Sequence, residues 1–225
     1  MQKKPDPEHF EQIIHRIVKG LSATTGEMFF RTLVKQLGTV LQVDMVMIGQ
    51  VIPEITKLKT LAMYNAGKVE ENIDYDLPDT PCGQVESGQL CNYPSGVRKL
   101  FPRSSLLEKM GIEAYIGTPL YSTAGEVLGI LAFMFQKTVE HPAFMESMLT
   151  LFASRTAAEL ERTRKVDLVI SNESRLAALL DLSLKSGEMS EEEIIHTGIE
   201  EAVRLTDSSI GYFHLVSKDE REIRL

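Results

Sequence analysis

Residues 112–136 read IEAYIGTPLYSTAGEVLGILAFMFQ, and the fold turns on this stretch. Two apolar runs of strand length, Ile112 to Tyr121 and Glu126 to Gln136, flank Ser122-Thr123-Ala124-Gly125. A glycine near the end of a short polar loop between two such runs is a hairpin signal, so the two strands pair antiparallel. Neither run alternates apolar with polar residues. Each is therefore expected to be covered on both faces or to lie at the centre of its sheet.

Upstream of the hairpin the same reading gives helices and more strands. Asp6-Pro7 places a capping acid before a proline at the first helical position. Phe10, Ile13, Ile14, Ile17, Val18 and Leu21 then recur every three or four residues, one apolar stripe of a helix. Thr24 and Glu27 have capping-box spacing ahead of a second helix with Phe30, Leu33, Val34, Leu37, Val40 and Leu41 on its buried face. Strands are expected over Val43 to Ile52 and Lys57 to Tyr64, with Pro53-Glu54 at the turn. Residues 68–111 are rich in Pro, Gly, Asn and Asp and hold only short elements, among them helices opening at Thr80-Pro81 and near Ser104.

Downstream the punctuation changes. All nine prolines lie at or before Pro142, and residues 143–186 contain neither proline nor glycine. A single helix over that stretch would be roughly 65 Å long; two helices kinked near Ser171-Asn172 are the alternative. Met145, Leu149, Phe152, Thr156, Glu159, Thr163, Val166, Ile170, Glu173, Ala177, Leu180 and Leu184 share one heptad register, apolar at its ends and polar in its middle. So many polar seam positions fit a helical connector that can shift better than a permanent coiled coil. Beyond it, Ser190 and Glu193 repeat the capping-box spacing, and a helix leads into a strand expected over Ile210 to Val216. An offset of 165 pairs Val34 with Ile199, Leu37 with Ala202, Met45 with Ile210 and Val51 with Val216. The expected organisation is an N-terminal helix over 1–23, a domain core over 24–142, a connector helix over 143–186, and over 187–225 the beginning of a second copy of the first domain's opening.

The chemistry-bearing residues are few. A net charge of −8 argues against a nucleic-acid surface, which needs clustered positive charge. No apolar run approaches the roughly 20 residues that span a bilayer. Two cysteines make neither a disulfide framework nor a four-ligand zinc site, which points to a reduced, cytoplasmic chain. His9, His15, His141, His196 and His214 show no metal-ligand spacing, and no phosphate-binding loop or nucleophile elbow is present. Cys82 follows Thr80-Pro81, in the first turn of a helix, where the dipole would lower a thiol pKa. The alternative is a small packed residue capping a pocket. Cys91 follows in a short strand and can approach it. Tyr64, Tyr75, Tyr93, Tyr115 and Tyr121 fall in or beside the strands and the irregular stretch, as walls of a small-molecule pocket or as ordinary sheet core. Tyr75, Cys82, Tyr93 and Tyr115 are the candidate ligand-contacting residues; no metal ligand, catalytic residue or cofactor is assigned.

The motifs resemble a GAF domain. The likeness runs over Tyr75-Asp76-Leu77-Pro78-Asp79-Thr80-Pro81-Cys82, Tyr93-Pro94, Phe101-Pro102, Leu106 and Met110-Gly111, then Tyr115-Ile116-Gly117-Thr118-Pro119-Leu120 and Gly125-Glu126-Val127-Leu128-Gly129-Ile130-Leu131. It spans about Thr24 to Arg164 and is similar to the bacterial subtype found in histidine kinases and diguanylate cyclases. The resemblance implies an α+β fold: an antiparallel sheet of about six strands, packed by the terminal helices on one face and covered on the other by loops and short helices around a pocket. It implies a non-catalytic sensory module of a signalling protein, which binds a small ligand and relays the event through its C-terminal helix to an effector domain of the same polypeptide. Family members pair through their first and last helices, so a parallel homodimer is expected. A dimerisation scaffold with a filled pocket is the alternative from the interaction class. A free methionine sulfoxide reductase is the enzymatic one: Cys82-Gly83 resembles one cysteine position of those enzymes, but residues 109–114 hold no cysteine and Cys91 is differently placed.

Overall fold

The computed structural model describes residues 7–21, 23–216 and 223–224. The chain divides into two units, Met1–Thr163 and Arg164–Leu225. In the first, helix α1 (Pro7–Leu21) buries Ile13, Ile17 and Leu21, the periodic positions of its stripe. Asp6 and the side chain of Phe10 lie outside the described residues. Helix α2 (Gly26–Leu41) follows with Phe29, Phe30, Leu33, Val34, Leu37 and Leu41 buried. The capping box expected at Thr24 and Glu27 does not form. Thr25 is the N-cap and makes no side-chain cap bond, while the Thr24 hydroxyl donates backwards to the Leu21 carbonyl at 3.1 Å. A carboxylate from far along the chain caps the helix instead.

Strands β1 (Met45–Ile52) and β2 (Lys57–Asn65) form an antiparallel pair around a 3-10 turn at Pro53–Ile55, with a register shift between Ile48 and Gly49. Two short strands missed in the sequence, β3 (Lys68–Glu70) and β4 (Asp74–Asp76), pair with opposite ends of β2. Three residues carry too little periodicity to be read alone. Helix α3 (Pro81–Glu86), strand β5 (Cys91–Tyr93), and helices α4 (Val97–Leu100) and α5 (Ser105–Lys109) occupy the irregular stretch. Strands β6 (Ala114–Tyr121) and β7 (Val127–Phe135) form the expected hairpin. The sheet has seven strands in the order β3-β2-β1-β7-β6-β5, with β4 also on β2, and every pairing is antiparallel.

Alternation along the central strands divides the interior into two cores. Val46, Ile48, Ile116, Leu131 and Phe133 face α1, α2 and the first turns of helix α6 (Pro142–Lys185), where Met148, Leu149 and Phe152 are buried. Met45, Met47, Tyr115, Ile130, Ala132 and Met134 face the other way, onto α3 and the loops. Coverage on both sides is why the hairpin strands read as continuous apolar runs.

This packing corrects one part of the sequence reading. Met145, Leu149 and Phe152, the front of the heptad seam, are used by the domain's own core, as are Ile13, Ile17 and Leu21 of α1. The large apolar seam residues left exposed are Val166, Ile170, Leu180 and Leu184.

The second unit contains the remainder of α6, helix α7 (Glu191–Thr206) and the paired strands β8 (Leu215–Val216) and β9 (Ile223–Arg224). The Ser190–Glu193 capping box is formed in both directions. The strand expected from Ile210 is shorter: residues 210–214 have no regular structure, and only Leu215 and Val216 pair. An isolated hairpin supplies too few partners to extend a strand.

Candidate functional site

Helix α3 is positioned by its own first turn. Thr80 is the N-cap: its hydroxyl accepts from the Gly83 amide at 3.2 Å and donates to the Leu77 carbonyl at 2.6 Å. Pro81 at the first helical position has the φ the helix needs. The three-residue spacing of Cys82 and Val85 turns both side chains to the sheet, and both are buried.

Cys82, only 4% exposed, meets two phenols there. The Tyr75 hydroxyl, from β4, donates to its Sγ at 3.1 Å, and the Tyr115 hydroxyl, from β6, lies 3.2 Å away. Tyr75 is half-buried, and its hydroxyl lies 3.5 Å from Met47 Sδ. Tyr115 is completely buried. Its hydroxyl lies over Gly117, where a Cβ would stand 2.4 Å from the phenol oxygen. Any side chain at 117 would displace Tyr115. Gly117 pairs with Cys91 across the strands, and Tyr115 pairs with Tyr93 at a ring distance of 6.5 Å. Phe101 packs edge-on to Tyr93 at 5.5 Å. The structure thus brings all four candidate residues, Tyr75, Cys82, Tyr93 and Tyr115, into one neighbourhood beneath α3.

Of the two readings of Cys82, a thiol activated by the helix dipole and a small packed residue, its surroundings favour the second: burial pushes this thiol up, and the bonds from Tyr115 and Tyr75 offset that only in part. A nearby charge on Cys91 raises it further. A six-residue helix offers a small dipole, whereas loss of water at a buried sulfur is a large penalty on the thiolate. Burial also raises the Tyr75 and Tyr115 phenols well above their usual range, with the Cys82 charge as the second cause. Cys91 is raised by burial and eased by Tyr93. Both cysteines are free. At neutral pH the cluster is a set of uncharged donors and acceptors, suited to hydrogen bonding and packing and unsuited to thiolate attack.

An open cavity of about 340 Å³ lies beside the same helix, lined by Thr56, Leu77, Asp79, Gln84, Glu86 and Phe101 among others. None of the four candidate residues lines it; Gly83, next to Cys82, does. Its lining mixes apolar residues such as Leu77 and Phe101 with polar ones and two carboxylates, which suits a small molecule with an apolar portion and hydrogen-bond donors or positive charge. The Asp79 carboxylate is also met by Arg103 at 3.4 Å. Sequence reasoning missed this cavity, although Leu77-Pro78-Asp79 and Phe101-Pro102 flank it. Among the described residues, no group of three or more His, Cys, Asp and Glu is placed to hold a metal ion, and no helix is long and apolar enough to cross a membrane.

Comparison with known proteins agrees with this architecture. The family model for the GAF domain matches residues 25–161, and the chain belongs to that family. No curated protein matches the chain significantly. Among solved structures, it is similar to the GAF domain of a phosphoenolpyruvate-protein phosphotransferase from Coxiella burnetii, with 19% identity, 73% of this chain and 99% of that one covered, and a TM-score of 0.58. The corresponding domain from Acinetobacter shares 15% identity over 70% of this chain and 96% of its own, with a TM-score of 0.57. A free methionine-R-sulfoxide reductase from Neisseria meningitidis, solved with its substrate, shares 13% identity over 73% and 96%, with a TM-score of 0.56. At these identities the likeness establishes the fold; it does not transfer an activity.

Proposed function

We propose that this chain is a non-catalytic sensory module of a signalling protein, which takes a small ligand beside α3 and relays the event through α6. The observation that carries this reading is the double use of α3. One side of the helix holds Cys82 against Tyr75 and Tyr115, and the other borders an open cavity. A molecule in that cavity touches the element on which the buried cluster is built. Helix α6 supports the relay: its first turns are packed into the core, and it continues to Lys185. An effector domain on the same polypeptide and a parallel homodimer through the exposed part of α6 belong to this proposal. The burial of Cys82 and its raised pKa favour a non-catalytic role over a thiol-based reductase.

Thermal denaturation of the full chain with a panel of metabolite-sized amines and their neutral analogues tests the reading. A ligand that binds only the folded state raises the midpoint in a concentration-dependent way. The increase should disappear in Gln84→Trp, which puts a large ring at an exposed lining position. If no compound shifts the midpoint, the scaffold reading replaces this one.

A further inference from the structure

Three consecutive residues fix α6 just before the first unit ends at Thr163. Glu159, 2% exposed, accepts from the Gly26 amide at 2.5 Å, satisfying the N-terminus of α2, and is held by Arg162 Nη2 at 2.6 Å and Nε at 3.1 Å. Leu160 packs over Gly129 of β7, where a Cβ would lie 2.9 Å from its Cδ2. Glu161 reaches the β6–β7 turn. Its two carboxylate oxygens accept from the Thr123 hydroxyl at 2.8 Å and the Thr123 amide at 3.0 Å. That turn is itself tightly built: Ser122 Oγ accepts from the Ala124 and Glu126 amides at 3.2 and 3.1 Å.

The turn also connects to the candidate site. Strand β6 begins near Tyr115, on the Cys82 thiol, and ends at Tyr121, next to the turn. The Tyr121 hydroxyl donates to the Gly88 carbonyl at 2.6 Å, and the Gly88 amide donates to Val85 O at 2.9 Å at the end of α3. Helix α3 is therefore tied to β6 at both ends, by Cys82–Tyr115 and by Gly88–Tyr121. Resting on the reading of α6 as the output element, we infer that movement of α3 is transmitted along β6 through the Tyr121–Gly88 and Thr123–Glu161 bonds to the rotational setting of α6. Glu159 and Leu160 are the fulcrum, since they hold the same helical turn to α2 and β7. Coupling between sites requires an element with two discrete arrangements, and these bonds at the base of α6 are the contacts such a change would break and remake.

The test is a double-mutant cycle read by amide hydrogen exchange over residues 161–166 of the full chain. Tyr115→Phe should accelerate exchange there by roughly three- to thirtyfold. The same substitution in a Glu161→Ala background should add nothing. Amides of residues 145–152, upstream of the pins, should exchange as in the parent. If Tyr115→Phe does not fold, Tyr121→Phe, at an exposed ring, takes its place with the same criteria. Unchanged exchange in the single variant, or equal acceleration with and without Glu161, overturns the path. Ligand-dependent stabilisation without this coupling removes the path and leaves the sensory reading standing. Coupling in a chain that no panel compound stabilises does the reverse.

Discussion

The Cys82 thiol and the Tyr115 hydroxyl, 33 positions apart in the chain, stand 3.2 Å from each other inside the domain. With Tyr75 at 3.1 Å on the same sulfur, the thiol serves as the shared partner of two buried phenols. The cost of removing it depends on what replaces that partnership.

Cys82→Ser keeps a small group that can both donate and accept. We expect it to fold and to lose no more than about 1.5 kcal/mol. Cys82→Ala leaves the Tyr115 hydroxyl without the thiol and should cost about 1–3 kcal/mol. Urea denaturation, with midpoints compared at constant slope, separates the two. An alanine variant as stable as the parent would mean that the phenols do not depend on the sulfur.

Alkaline pH should weaken the fold. Cys82, Tyr75 and Tyr115 all have raised pKa values, so the folded state holds protons that the unfolded chain releases. Their contribution is complete below the unfolded pKa values and is lost as pH rises towards the folded ones, from about pH 8.5–9 upward. Denaturation midpoints should fall across that window. Alkylation of Cys82 by iodoacetamide at pH 8 should be slow until denaturant is added. Rapid labelling of the native protein would contradict the buried thiol.

Glu159 behaves in the opposite sense. Its bond from Arg162 and, after that, the Gly26 amide lower its pKa, against a cost of burial. The stabilisation is present above about pH 4.3, the unfolded value, and fades as pH falls through the lowered folded value. Glu159→Ala should cost about 1–3 kcal/mol, chiefly by leaving the helix-end Gly26 amide without its acceptor, since the half-exposed Arg162 is solvated by water. Glu159→Gln, which keeps an acceptor, should cost less. Equal losses would assign the effect to packing alone.

Association should depend on the exposed part of α6. Val166 and Ile170 are about half exposed and share one heptad register with Leu180 and Leu184. In the proposed parallel dimer, replacing both with Asp should cost several kcal/mol of association. Sedimentation at micromolar concentration should find a dimeric parent and a monomeric double variant. A monomeric parent, or a variant that still dimerises, rules out this interface.

What the sequence determined by itself was local. The Thr80-Pro81 start of α3, the Ser122–Gly125 hairpin, the α1 and α2 stripes and the Ser190–Glu193 box depend on residues a few positions apart, and backbone geometry fixes what such neighbours do. The resemblance to the GAF family likewise rests on short stretches of neighbouring residues. Only the tertiary structure decided the environment of Cys82: two phenols reach it from distant strands, and burial raises the thiol despite their bonds and the dipole of its own short helix. The same holds for the cap of α2: Thr24 and Glu27 have the right spacing, yet the Gly26 amide is satisfied by Glu159, 133 positions away. The front of the α6 seam reads like a coiled-coil face, but the sheet beneath it takes those residues into the domain core. A heptad pattern states that one side of a helix is apolar; which surface covers that side is settled only when the chain has folded.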